Sequence, residues 1–192
     1  MKIRYILSSV ALASLSLTSC SDLDTAPEGN IITSDKKGEI LEEMPERGLA
    51  GVRAIFQGLS AYEPNYEAFG KIERHNDIGY PSVLMFTDAN TEDVVSDPNG
   101  YNWNENSLDY SDRTYTSYES QMVWNDHYNA IYVANTVIKG YNTGEDPTNE
   151  EARFFYAQGL AARAYFYFNL AQLYQFTYKD NETKPCIPVV TD

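Results

Sequence analysis

The sequence predicts an all-α fold of antiparallel helix pairs joined by long irregular loops, and three observations predict it. Thr116 with Glu119, and Thr148 with Glu151, have capping-box spacing, and each pair stands directly before a run of helical apolar period. The second of these runs is apolar on more than one side, as a helix covered by several neighbours must be. Between the periodic segments, Ala89 to Tyr115 dissolves into Asn, Asp, Ser, Gly and Pro with scattered aromatics, the composition of a long loop.

The chain opens with Lys2 and Arg4, then an apolar-to-small stretch from Ile6 to Leu17. That stretch has the length of a signal-peptide core and falls short of the roughly 20 apolar residues of a transmembrane helix. Leu17-Thr18-Ser19-Cys20 follows and resembles the lipobox of bacterial lipoproteins, in which the cysteine carries the lipid and becomes the mature N-terminus. Residues 1–19 are therefore expected to be a removed signal peptide and Cys20 the lipidation site. Each buried CH₂ of such an anchor contributes about 0.8 kcal/mol, so several acyl chains hold firmly where one holds poorly. Residues 20–37 are polar, contain Pro27 and Gly29, and are expected to form an extended tether. The helical domain is placed at 38–192.

The first helix is expected from about Pro45 to Ser60, with Leu49, Val52, Phe56 and Leu59 as its apolar stripe and Pro45 in its opening turn. Pro81 sits where another helix can start, before the short apolar run Val83 to Phe86, which is expected to be fully buried. After the long loop, Trp124, Tyr128, Ile131, Asn135 and Ile138 line one helical face that Gly140 ends. On this pattern Trp124 belongs to the core. The next helix reaches about Phe176, roughly 42 Å at 1.5 Å per residue. One stripe on it is Phe155, Gly159, Ala162, Phe166, Leu170 and Leu173; another is Phe154, Ala157, Ala161, Tyr165 and Phe168. Small residues facing large aromatics across two helices resemble a tetratricopeptide-type unit, and Ala162-x3-Phe166 matches its A-x3-F element. A single unit of that kind leaves faces uncovered.

Net charge is −14, and loss of the basic signal segment makes the remainder more acidic still. Phosphate backbones would be repelled, so nucleic acid is excluded as a partner, and the lipid rather than surface charge must hold the membrane. Cys186, between Pro185 and Pro188 with Cys20 committed to lipid, is expected to be a small buried apolar residue. The 16 Tyr, 8 Phe and 2 Trp are mostly assigned to packing, although Tyr offers a flat apolar face and a hydroxyl together.

Trp124-Asn125-Asp126-His127-Tyr128-Asn129-Ala130-Ile131, Ala134 to Ile138, Glu151-Ala152-Arg153-Phe154, Leu160 to Leu170, and Ile187-Pro188-Val189-Val190-Thr191 together resemble the N-terminal part of the SusD/RagB family of outer-membrane nutrient-binding lipoproteins. The Asp77-Ile78-Gly79-Tyr80 to Asp88 region and the lipobox fit the same resemblance. It implies an incomplete SusD-like fold of tetratricopeptide-like helix pairs, here a truncated product or fragment, since members of the family are longer. It also implies a surface-exposed outer-membrane lipoprotein that binds glycan or another nutrient and delivers it to a SusC-like, TonB-dependent transporter.

Catalytic and metal chemistry find little support. His75 and His127 lack a partner at zinc-ligand spacing. Asp88 to Asp93 begins like a calcium loop but lacks the glycine and the closing acid. No phosphate-cradling glycine loop or nucleophile elbow occurs, so the chain is expected to be a binder without cofactor, apart from the lipid on Cys20. The candidate sugar site is Tyr101, Asn102, Trp103 and Asn104, with Tyr110: Trp103 as a stacking platform and the amides bonding hydroxyls, the alternative being that Trp103 packs the loop onto the helices. Arg153 and Arg163 are expected in salt bridges or lying along apolar surface. The alternative to nutrient capture is a lipid-anchored helical scaffold or adhesin for a protein or peptide, or a non-functional remnant.

Overall fold

The computed structural model describes residues 32–57, 79–95, 104–142 and 144–191. The signal segment, Cys20 and Tyr101 to Trp103 lie outside the described residues, as does His75. Residues Ser34–Asp192 form one compact unit. Its elements are α1 (Ser34–Glu43), a 3₁₀ turn (Pro45–Arg47), α2 (Gly48–Gln57), α3 (Tyr80–Ala89), the short α4 (Glu105–Leu108), α5 (Tyr118–Tyr141) and α6 (Glu150–Tyr174). The all-α expectation holds. Among the described residues no helix is long and apolar enough to cross a membrane.

Two long helices organise the unit. The first begins one residue after the expected cap: Ser117 is the N-cap, its Oγ accepting from the Ser120 amide at 3.1 Å. The second is capped by Asn149, whose Oδ1 accepts from the amides of Glu151 and Ala152. In both places a side chain adjacent to the expected threonine has the reach to close the first turn. The helices are antiparallel, since a Cβ on Gly159 would stand 3.0 Å from Ile138, Arg163 meets Asn135, and Tyr174 meets Ser120. Gly140 does not stop α5, which continues to Tyr141. A side chain there would come within 2.9 Å of Leu41, so this glycine permits close approach of α1.

Phe155, Gly159, Ala162, Phe166 and Leu170 are buried in the α5–α6 seam as expected, but Leu173 is exposed at the end of the stripe. The second stripe is a correction. Phe154 and Phe168 are 62% and 61% exposed, and Ala157, Ala161 and Tyr165 are exposed beside them. The apolar girth of α6 is covered on one side only among the described residues. By contrast α5 is enclosed more widely than its predicted stripe, because α1, α2 and α3 pack on faces that α6 does not reach. Ile131, Ala134 and Val137 are buried on it together with His127. Full burial of one such aliphatic or aromatic side chain contributes about 1.5–3 kcal/mol.

Three further expectations are corrected. Part of the predicted tether is helical, since α1 starts at Ser34 and seats Leu41 in the core. On α2 Val52 is buried as expected and Ile55 is buried with it, whereas Leu49 faces solvent; the Phe56 side chain and Leu59 lie outside the described residues. In α3, Val83 and Phe86 pack against Met122 and Val123, but Leu84 and Met85 are half exposed, so the apolar run is buried on one face only.

After α6 the chain turns at Asp180 (φ 68°) and runs back along the α5–α6 groove. Gln175 Nε2 donates to the Pro185 carbonyl (2.8 Å), the Tyr128 hydroxyl to the Pro188 carbonyl (2.7 Å) and Asn135 Nδ2 to the Val190 carbonyl (2.9 Å). Backbone groups rather than side chains hold this strap, and Ile187 alone among its neighbours turns onto the core. Cys186 is consequently exposed, not buried.

Candidate functional site

A concavity of about 1050 Å³ opens where α3 ends, α5 begins and α6 finishes. One wall is aromatic. Trp124, on the second turn of α5, is half buried between Tyr128 (ring centroids 4.7 Å) and the edge of Tyr174 (5.1 Å). Burial pushes the Tyr174 hydroxyl well above its ordinary pKa, and as a neutral donor it bonds the Ser120 carbonyl across the helix pair. Tyr115 stands 97% exposed at the rim. Trp124 is therefore both a packing residue and a wall of the cleft, a wider role than core assignment alone.

The opposite side is polar and is built by turns. Gly79, at φ 82°, and Pro81 start α3, which delivers Asn90 as its C-cap. The Asn90 amide nitrogen bonds back to the Phe86 carbonyl (2.8 Å) and reaches the Asp112 Oδ2 (3.3 Å). Its oxygen accepts from Arg113 Nε at 3.1 Å. Asp112 is 6% exposed. Oδ2 also accepts from the fully buried Ser107 hydroxyl (2.6 Å), and the Asp112 carbonyl accepts from the hydroxyls of Ser117 and Ser120. Oδ1 of the same carboxylate is buried with no hydrogen-bond partner. The arrangement offers aromatic faces on one side and oriented amide, guanidinium and carboxylate groups on the other, the usual division in small-molecule sites. Among the described residues no group of three or more His, Cys, Asp or Glu could hold a metal ion.

Of the sequence-predicted sugar residues, Tyr101, Asn102 and Trp103 lie outside the described residues. Asn104 is the N-cap of α4, its carbonyl accepting from Ser107 and Leu108, while its side chain makes no capping bond. Tyr110 adopts φ 62° and lies under the Arg113 guanidinium, 4.1 Å from ring centroid to charge. It thus backs the cleft's arginine without lining the cleft itself. Arg163 donates to the Asn135 amide (3.1 Å) rather than to an acid, and Arg153 is exposed. Asn90, Asp112, Arg113 and Tyr115 were not singled out from sequence. Asn90 falls inside the segment weighed as a calcium loop, and its clustered Asx residues were the one available signal.

Residues 77–192 match a family model described as starch-binding associating with outer membrane. No curated protein and no solved structure matches the chain. The matched residues include α3, α5, α6 and every cleft residue named above.

Proposed function

The chain belongs to the SusD-like family, and from that premise we propose that it is an outer-membrane lipoprotein, anchored through Cys20, that binds glycan at the cell surface and hands it to a TonB-dependent transporter. The observation that carries the binding part is the cleft between Trp124 and Asp112. An apolar ring wall suits the C–H face of a pyranose, and the Asn90, Asp112 and Arg113 groups suit its hydroxyls. Among the described residues, the serine hydroxyl that bonds the Asp112 carboxylate, that of Ser107, is fully buried and out of a ligand's reach. Binding without turnover is the reading it supports.

The test is migration of the purified full chain in native gels cast with and without soluble starch and other neutral polysaccharides. Retardation by at least one neutral polysaccharide is expected. Tyr115→Ala, at a rim position where folding is not at stake, should weaken it about tenfold, the equivalent of roughly 1.4 kcal/mol. Migration that no polysaccharide alters would sink the glycan reading. For the anchor, Cys20→Ser should move the chain from the detergent-extracted membrane to the soluble fraction. Retention of that variant in the membrane would refute lipidation at this cysteine.

A second reading has its own observation. The exposed Phe154, Tyr165 and Phe168 on α6 form an apolar face of the kind that marks protein contacts, and a lipid-anchored scaffold would use it. Both uses are compatible on one molecule, because this face and the cleft draw on different residues.

A further inference from the structure

We infer that Tyr128 is a positioning residue of the cleft, fixing the Trp124 ring from outside it by tying that ring to the strap that follows α6. The inference rests on the glycan-binding reading above and deepens it. Trp124 lines the cleft and Tyr128 is not among the lining residues. The two stand one helical turn apart on α5, hence on one face of the helix. Their rings meet at 4.7 Å between centroids, tilted by 39°. The far end of Tyr128 is held as well, since its hydroxyl donates to the Pro188 carbonyl at 2.7 Å. Tyr167 stands nearly perpendicular to the Tyr128 ring at 6.4 Å, and its own hydroxyl bonds both backbone groups of Val190.

The other aromatic neighbour of Trp124 leads to the same strap. Tyr174 meets the indole at 5.1 Å and lines the cleft, and the next residue, Gln175, donates from Nε2 to the Pro185 carbonyl at 2.8 Å. Ile187, between the two strap carbonyls, packs against the same core cluster as Trp124, Tyr128 and Tyr174. Val189 is 72% exposed, so beyond Ile187 the strap is gripped by side chains that reach its backbone. A half-buried tryptophan near a helix start has several staggered rotamers open to it unless its neighbours exclude them. Here one of those neighbours is a ring whose tip is pinned. Fixing a ring of the cleft wall before the ligand arrives removes ordering that binding would otherwise impose, an effect of about three- to tenfold in affinity for one large side chain. Such coupling is reciprocal, so a ligand seated against Trp124 should also steady the strap.

Tyr128→Phe tests this, because it keeps a ring against Trp124 and removes only the tie to Pro188. Affinities of the purified full chain and of the variant would be measured for neutral glucan, mannan and xylan oligosaccharides, alongside the thermal midpoint of each protein. The indole N–H resonance of Trp124, assigned by its loss in Trp124→Phe, reports on the ring without any ligand. The expected result is affinity for the best-bound oligosaccharide down about three- to tenfold in the variant, with the indole resonance shifted or broadened and the midpoint nearly unchanged. Wild-type affinity in the variant would overturn the role of Tyr128 and leave glycan binding intact. An unmoved indole resonance would overturn it too, since any loss of affinity would then arise elsewhere. Wild type binding none of the oligosaccharides would overturn the glycan reading and this inference with it. If the variant fails to fold, hydrogen exchange of residues 186–191 in wild type decides: saturating oligosaccharide should slow it several-fold, and unchanged exchange overturns the proposal.

Discussion

The Tyr167 hydroxyl donates to the Val190 carbonyl at 2.7 Å and accepts from the Val190 amide at 2.6 Å. One side chain thereby satisfies both backbone groups of a residue that belongs to no helix or strand. Asn135 adds a second donor to the same carbonyl, and its own oxygen is held by Arg163. Removing the Tyr167 hydroxyl should therefore unfasten the strap locally. For Tyr167→Phe, amide exchange at Val190 is expected to accelerate about tenfold or more while exchange in the α5–α6 seam stays unchanged. Global stability should fall by only about 1 kcal/mol, the net worth of a partly solvated hydrogen bond. Unchanged exchange at Val190 would mean that packing of Ile187, not the tyrosine, holds the segment.

Gly48 opens α2 at a point where helix propensity favours alanine by about 1 kcal/mol, and its φ of −68° would accept one. Space decides otherwise. A Cβ on Gly48 would lie 1.3 Å from the Tyr141 hydroxyl oxygen and 2.3 Å from the ring carbon bearing it. The ring cannot easily yield, because its hydroxyl donates to the Pro45 carbonyl at 2.7 Å and its face stacks on Phe155. Burial pushes that hydroxyl up to about 12, so it remains a donor throughout the neutral range. Gly48→Ala should lower stability by about 1–3 kcal/mol in urea denaturation, overpacking outweighing propensity. A stabilised variant would show that the 3₁₀ turn can move aside.

The long helix pair was legible because its two determinants are local: a cap within one residue of Thr116 and of Thr148, and an apolar period that survives for many turns. What the period did not disclose is how many sides would be covered. For α5 the answer was more than the stripe of Trp124 and Ile131 implied, and for α6 it was less than the ring of Phe154 and Phe168 implied, because coverage depends on neighbours distant in sequence. α1 was missed for a related reason. SDKKGEILEE has little apolar period of its own, and the helix is stabilised by Leu41 meeting Gly140 across nearly a hundred residues of chain. The polar side of the cleft was illegible for the same cause. Asn90 and Asp112 are 22 residues apart, and only the turn after α4 makes them partners. Trp124 was visible but assigned a single role, although a half-buried ring at a helix start can pack on one edge and face a cleft with the other.

His127 offers a pH test. Its ring is 1% exposed, with Nδ1 3.0 Å from the Val123 carbonyl, edge-on to Phe166, and beside Tyr80 and the Asp126 carboxylate, whose Oδ2 lies 3.7 Å away. Burial depresses its pKa below the ordinary 6.5 despite the favourable Val123 carbonyl. The unfolded chain therefore binds a proton that the folded chain resists. The associated stability is fully present above pH 6.5 and is lost as the pH falls from there towards the folded value, by at most about 1.4 kcal/mol per pH unit. His127→Gln should be less stable than wild type at pH 8 yet lose less between pH 7 and pH 5. Parallel stability curves for the two proteins over that interval would refute a neutral buried histidine.

Phe166 and Phe168 sit two positions apart on α6 and should respond in opposite ways to change. Phe166 is 0% exposed and packs edge-on against Tyr80, His127 and Tyr165, whereas Phe168 is 61% exposed. Phe166→Ala should cost about 3–5 kcal/mol, the transfer loss plus the cavity left between α3, α5 and α6. Phe168→Lys should change stability by no more than about 0.5 kcal/mol, as surface substitutions do, and should reduce the binding of a hydrophobic dye by removing the centre of the exposed face. Measured on the purified chain by denaturation and dye fluorescence, a Phe168→Lys variant that loses several kcal/mol would mean that something in the molecule covers that face. An unchanged midpoint with weaker dye binding would confirm that α6 presents it to solvent, free for a partner.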